Sequence, residues 1–166
     1  MKLTELESNL ATRIEKGALL TATDKNGRVN TMTVSWGGTG ILWGKNVCFV
    51  FVRPERYTYE FSESGDTMTL SFLGDEGKGT LSLCGTKSGR DVDKFEACDL
   101  KYTMQNGACI LEKAELTLVL KKLYADDLKE ECFVNDTPKS FYKNGGYHKM
   151  YVCEVVDILE GKASKI

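Results

Sequence analysis

The chain has 166 residues, 42% of them hydrophobic and 28% charged, which is enough for one soluble domain with a buried core. A formal charge of −2 argues against a nucleic-acid binder, which needs a basic surface or stripe. No apolar run reaches the roughly eighteen residues of a membrane span, and Met1-Lys2-Leu3-Thr4-Glu5-Leu6 begins no signal-peptide apolar region. The expectation is a single cytoplasmic domain over residues 1–166.

Leu3, Leu6, Leu10 and Ile14 recur at helical spacing between Glu5, Glu7, Arg13 and Glu15, predicting an amphipathic helix that Gly17 stops. Residues 18–23 read as a strand, Asn26-Gly27 as a hairpin turn and residues 28–36 as the return strand. Gly37-Gly38-Thr39-Gly40 then reads as a turn. Residues 47–52 hold no polar side chain and predict a strand buried on both faces. Pro54 suits a first helical turn, so residues 55–61 read as a short helix closed at Ser64-Gly65. Downstream, residues 67–72 read as strand, 74–79 as loop, 92–98 as helix, 109–124 as mostly strand and 150–159 as a last strand. Short strands with glycine turns and a few small helices predict a mainly β fold, a closed or nearly closed β-barrel.

Six cysteines (Cys48, Cys84, Cys98, Cys109, Cys132, Cys153) lie at wide, irregular spacings with no Cys-x-x-Cys pair, and His148 is the single histidine. Neither a disulfide framework nor a metal site is expected from that pattern. Cys48, Cys109 and Cys153 sit in apolar runs and read as small buried hydrophobes.

Three segments carry candidate chemistry. In Asn30-Thr31-Met32-Thr33-Val34-Ser35-Trp36, hydroxyls and apolar side chains interleave and end in an indole, which can line a flat polar ligand. Arg53-Pro54-Glu55-Arg56-Tyr57-Thr58 reads either as a solvated helix start or as an anion site built from free amides and a guanidinium. Ser88-Gly89-Arg90-Asp91-Val92-Asp93-Lys94-Phe95 reads either as an acid-capped helix start or as a second phosphate cradle. One of Trp36 and Trp43 is expected in the core. No nucleophile or acid–base pair can be assembled. A cradle without its own reactive groups suits a protein whose cofactor carries the reaction.

Taken in order, residues 30–36, 53–58, Leu70-Ser71-Phe72 and 88–95 resemble the flavin reductase-like, flavoredoxin-type FMN-binding proteins, over about residues 15–160. The resemblance implies an FMN-binding split barrel, usually a homodimer with FMN near the subunit interface. It implies that Asn30, Met32, Thr33, Val34, Ser35 and Trp36 line the isoalloxazine ring. Arg56 and Thr58 would then hold ribityl or phosphate oxygens, Ser88 and Lys94 would close the site with Lys94 as the second cation on the phosphate, and Arg53 and Ser71 are counted among the cofactor-binding residues. The family often lays an aromatic or His-bearing segment over the flavin, for which Phe141, Tyr142 and His148 are the candidates. Hydride chemistry would belong to FMN, so no protein catalytic residue and no metal is implied. With no Gly-x-Gly-x-x-Gly fingerprint, NADH or NADPH would bind only transiently over the flavin. The implied activity takes electrons from NAD(P)H or a reduced redox protein through FMN to an acceptor. The alternatives are a flavoredoxin-like carrier without nicotinamide activity and a barrel that has lost its cofactor.

Overall fold

The structure, a computed structural model, describes residues 3–7 and 9–161. Helix α1 is Leu10–Lys16, started by Asn9, whose Oδ1 accepts the Thr12 N–H at 3.1 Å. An Asn side chain competes for backbone donors and so marks a helix start rather than a helix interior. The predicted helix is accordingly halved, and Leu3–Glu5 is a separate 3-10 turn.

The strands are β1 (Ala18–Thr23), β2 (Val29–Val34), β3 (Gly37–Leu42), β4 (Lys45–Val52), β5 (Thr67–Phe72), β6 (Tyr102–Gln105), β7 (Ala108–Leu111), β8 (Leu116–Asp127) and β9 (Lys149–Glu160). Seven of them form one antiparallel sheet in the order β2-β1-β5-β8-β9-β4-β3, and β6 and β7 form a separate ribbon. The β1–β2 hairpin turns at Asp24, whose Oδ1 accepts the N–H groups of Asn26 and Arg28 at 2.9 Å each. Gly27 supplies the positive φ of +80° that this turn needs.

The glycine run expected as a turn is strand β3, in register with β4 from Gly37↔Val50 to Leu42↔Lys45. Glycine is depleted in strands, but here the ladder to β4 holds the run in place. The reversal falls instead at Trp43 and Gly44, with φ of +52° and +70°, the pattern of a tight two-residue hairpin loop. Neither tryptophan enters the core, since Trp36 is 46% and Trp43 60% exposed.

Helix α2 is Tyr57–Ser64, starting two residues later than expected, with Arg56 as its N-cap. Helix α3 (Lys78–Thr86) begins at the end of the expected 74–79 loop and fills residues for which no element was predicted: two glycines and an uncapped start hide it in sequence. Packing on β2 supplies what propensity lacks, with the Thr33 hydroxyl donating to Leu81 O at 2.6 Å. The last helix, α4 (Lys94–Ala97), is shorter than expected and starts where Asp93 caps the N–H groups of Phe95 and Glu96. The strand read over 109–124 is divided between β7 and β8.

The sheet curls round a core of Leu20, Met68, Leu70, Leu118, Val50 and Tyr151, with Leu10 and Ile14 of α1 and Phe61 of α2 plugging it. A second cluster of Leu19, Cys84, Leu100, Cys109 and Leu111 lies between β1, α3 and the ribbon. Strand β1 is thus buried on both faces. The mainly β architecture with a few short helices is as expected. In β4, Phe49 and Phe51 are only half-buried, so the expected two-sided burial holds for Val47, Cys48, Val50 and Val52 alone. Cys109 and Cys153 are buried as well. Among the described residues no helix is long and apolar enough to cross a membrane.

Gly65, after α2, packs so close to β1 that a Cβ would lie 1.8 Å from Thr23 O. Gly65→Ala is therefore expected to destabilise by about 1–3 kcal/mol, read as a lower urea midpoint. Gly79→Ala meets nothing within 4 Å and gains helix propensity, so its midpoint should hold or rise.

Candidate functional site

Two clefts compete for the role. The larger, about 950 Å³, includes Asp75, Glu76, Glu112, Glu115 and Glu160 in its lining. Its cations are already paired, Arg13 with Glu115 and Lys113 with Asp99, so an anionic ligand would meet net repulsion there. The smaller, about 190 Å³, lies where β2 ends, with Trp36, Phe51 and His148 as flat walls and Arg53 and Arg56 at its rim. Its lining contains cations and no carboxylate.

Strand β2 is the end strand of the sheet, so one of its edges bears backbone groups without a strand partner. Lys94 Nζ donates to Thr31 O at 2.8 Å, which shows that this carbonyl points away from β1. Alternation along the strand puts the N–H and C=O of Thr33 on the same free edge, facing the cleft that Thr33 lines.

Two cations set the position of α3 beside that edge. Arg56 donates to Gly85 O at 3.0 Å and to Cys84 O at 3.1 Å, and Lys94 Nζ donates to the same Cys84 O at 2.9 Å. These are carbonyls of the helix's last turn, where the backbone dipole favours positive charge. Burial pulls the pKa of both groups down from their ordinary values.

The turn after α3 approaches closely. A Cβ at Gly89 would lie 2.2 Å from Asn30 Oδ1 and 2.9 Å from the Tyr57 ring, so only glycine lets the 88–91 turn seat here. The Ser88 hydroxyl accepts the Arg90 N–H at 3.2 Å. Among the described residues no hydrogen bond takes up the N–H groups of Ser88 and Gly89. Arg90 itself is engaged with Glu60 and with Glu55 O, and stacks on Tyr57 at 4.8 Å.

An aromatic group closes the other side. Trp36 stands edge-on to Phe141 at 5.2 Å and against His148 at 5.2 Å. Tyr142 OH and His148 Nδ1 are 2.7 Å apart. Burial, reinforced by the charge of Arg53 and only partly opposed by Glu55, lowers the imidazole pKa from 6.5 to about 4. Burial also raises the pKa of the Tyr142 phenol. The ring is neutral and the phenol protonated, and the histidine tautomer sets which of the two donates.

Of the residues singled out in sequence, Met32, Thr33, Val34, Ser35, Trp36, Arg53 and Arg56 line this cleft together. Asn30 and Thr58 stand behind it, joined by an Nδ2–H···Oγ1 bond of 2.8 Å. Lys94, 3% exposed, is committed to backbone carbonyls in the wall. Ser71 lies in the core, 3.1 Å from the Thr117 hydroxyl, and does not reach the cleft. Ser88 sits in the turn beside α3. Phe51 was not singled out. Its signal was the β4 alternation, in which Phe49 and Phe51 face away from Cys48, Val50 and Val52. His148, Phe141 and Tyr142 come to the mouth of the cleft from a segment whose placement no sequence pattern specified.

Residues 12–165 match the family profile described as the flavin reductase like domain. No curated protein matches the chain. Among solved structures, the FMN-binding protein of Thermus thermophilus with bound p-hydroxybenzaldehyde is 22% identical at TM-score 0.68, covering 89% of this chain and 72% of its own. Flavoredoxin from Methanosarcina acetivorans is 18% identical at TM-score 0.70, with 90% and 70% covered. A candidate flavin reductase with split barrel domain from Shewanella frigidimarina is 17% identical at TM-score 0.69, with 96% and 77% covered. At these identities the likeness is one of fold.

Because its folded pKa lies below the ordinary 6.5, His148 contributes stability that is complete above pH 6.5 and lost as pH falls towards about 4. His148→Gln is expected to flatten the urea midpoint over that window. NMR of the single histidine should show a neutral ring at pH 6; an ordinary titration near 6.5 would contradict the geometry.

Proposed function

The chain belongs to the flavin reductase like domain family, and on that premise we propose that it is an FMN-binding oxidoreductase. It would pass electrons from NADH, NADPH or a reduced protein donor through bound FMN to an acceptor. The observation that carries this reading is the smaller cleft, where a free strand edge, flat aromatic walls and unneutralised cations meet at one place. A cytoplasmic setting, where nicotinamides are regenerated, goes with it.

The residues present fit FMN by the chemistry of their donors. Thr33 backbone groups and the Ser35 hydroxyl would meet the polar edge of the ring, and Trp36 its flank. Arg56 and the N–H groups of Ser88 and Gly89 would meet the phosphate, since successive turn amides make an anion-binding concavity. Asn30, Thr58 and Lys94 would act from behind, fixing β2 and α3. Met32 and Val34 would supply apolar contact.

When bound, FMN supplies hydride and single-electron transfer. The chain's part is to orient and to stabilise charge. N–H and O–H donors along β2 favour negative charge on the ring edge they face. The neutral His148, held by Tyr142, would add a polar wall without adding positive charge. The aromatic walls exclude water from the ring face.

A second reading, an electron carrier of the flavoredoxin kind with no nicotinamide activity, is favoured by one feature. Phe141 and His148 both stand against Trp36, which would leave little room over the ring for a nicotinamide. Stopped-flow mixing separates the two: rapid bleaching of bound FMN by NADH or NADPH selects the enzyme, and bleaching only by a reduced protein selects the carrier.

A homodimer belongs to the same proposal. Trp43 and Tyr124, 6.5 Å apart and 60% and 46% exposed, leave aromatic surface for a second copy to cover. Sedimentation velocity should give twice the chain mass, and Trp43→Glu should give the monomer.

Protein mixed with FMN and desalted is expected to keep the flavin absorbance bands. Arg56→Ala should weaken FMN binding by about tenfold or more, the loss of a charged hydrogen bond, and affect riboflavin less. A colourless wild type that also consumes no nicotinamide with free flavin sinks the proposal.

A further inference from the structure

Resting on the reading of the cleft as the flavin-ring site, we propose that Arg53 is a positioning residue rather than a cofactor ligand: a latch that holds the 137–148 segment against Trp36. Arg53 follows directly on β4, which makes it a fixed post. Its Nη2 donates to Phe141 O at 2.8 Å and its Nη1 to Gly146 O at 3.2 Å. The same guanidinium lies over the Tyr142 ring, 5.0 Å from its centroid. One planar group therefore grips the segment at three points.

The segment has little else to hold it. Apart from the Leu128 N–H, which His148 O accepts at 2.9 Å, its other hydrogen bonds are local: Thr137 N–H to Asn135 Oδ1, Ser140 Oγ to Thr137 O, Lys139 N–H to Asp136 O, Gly145 N–H to Tyr142 O and the Tyr142–His148 pair. Among the described residues, the two bonds from Arg53 are the only hydrogen bonds that tie 129–147 to the chain beyond 126–148. The remaining ties at the cleft are ring contacts, of Phe141 and His148 with Trp36 and of His148 with Phe51.

The segment is shaped to meet the latch. Gly145 and Gly146 have φ of +75° and +68°, so the chain folds back through a conformation that favours glycine. A Cβ on Gly146 would lie 2.0 Å from Glu55 Oε1, so this turn seats directly on the Arg53–Glu55 corner. Bridging carbonyls at 141 and 146 while stacking on the ring between them requires a planar fork of donors. An ammonium is a point charge and cannot do all three.

What the latch positions is the aromatic lid of the cleft. Tyr142, under the guanidinium, holds His148 through its phenol, and Phe141, whose carbonyl is gripped, stands on Trp36. Releasing Arg53 would loosen the ring-covering side chains together and leave Arg56 and the 88–89 turn untouched.

The test uses Arg53→Met and Arg53→Lys in the full chain, with two readouts. In flavin-free protein, amide hydrogen exchange over 137–148 should quicken by about tenfold or more in both variants, the scale expected for losing charged hydrogen bonds, with β1 and β5 unchanged. Affinities for FMN and for riboflavin should fall by the same factor, because the lid meets the ring that both share. Unchanged exchange with FMN weakened and riboflavin spared would make Arg53 a phosphate ligand and overturn the proposal. Unchanged exchange with both affinities intact would overturn it too. If wild type binds neither flavin, the cofactor reading fails by itself, and the exchange comparison still decides whether Arg53 is the latch.

Discussion

One carbonyl oxygen organises the region where the cleft forms. Cys84 O, in the last turn of α3, accepts both Arg56 Nη2 and Lys94 Nζ. Burying an ammonium is costly unless it is hydrogen-bonded, and Lys94 is 3% exposed. Two charged hydrogen bonds, each about 1.5–3 kcal/mol, and the negative end of a helix offset that cost. In return, one side chain ties α3 to β2, because its other acceptor is Thr31 O. An end strand is normally a liability, open to pairing with another chain. Here helix and lysine cover part of that edge and leave Thr33 exposed to the cleft.

Engagement with carbonyls does not neutralise a cation. Arg90 faces the carboxylate of Glu60 and adds little net field. Arg53, Arg56 and Lys94 donate to neutral oxygens and keep their full charge while losing their mobility. The cleft is thus both positive and stiff, which lowers the ordering cost of binding an anionic ligand. The larger cleft has the opposite balance, with its few cations matched by acids and carboxylates in excess.

The sequence was most legible where local chemistry and tertiary demand agree. Residues 18–23 and 67–72 alternate or fill with strand-forming side chains, and both strands have the bounds that were read. Asp24-Lys25-Asn26-Gly27 contains its own turn hydrogen bonds. Reading failed where tertiary contacts override local preference. Nothing in Lys78-Gly79-Thr80-Leu81-Ser82-Leu83-Cys84-Gly85-Thr86 announces a helix, whose support comes from Lys94 beyond its end and from Thr33 and Arg56 far away in sequence. The residue types of the cleft were legible, since every lining residue but Phe51 was singled out. Their depth was not: Lys94 and Ser71 carry the same polar signal as Ser35, and only packing decides which of them turns inward.

Strand β3 shows how a residue choice can point beyond the chain that carries it. Gly37 has an internal reason, because a Cβ there would lie 2.6 Å from Phe49 O. Gly38 and Gly40 have none, since a Cβ on either would meet nothing within 4 Å. Each costs the strand about 0.5–1 kcal/mol relative to alanine, and among the described residues no side-chain contact at that position offsets it. By register Gly38 lies opposite Phe49 and Gly40 opposite Val47, on the sheet face that also bears Phe51, a wall of the cleft. A bare backbone beside an aromatic wall is a surface that something flat or another sheet can approach closely. The proposed flavin and the proposed second copy are the two occupants that would meet this face, and the glycines are the cost of keeping it open to them.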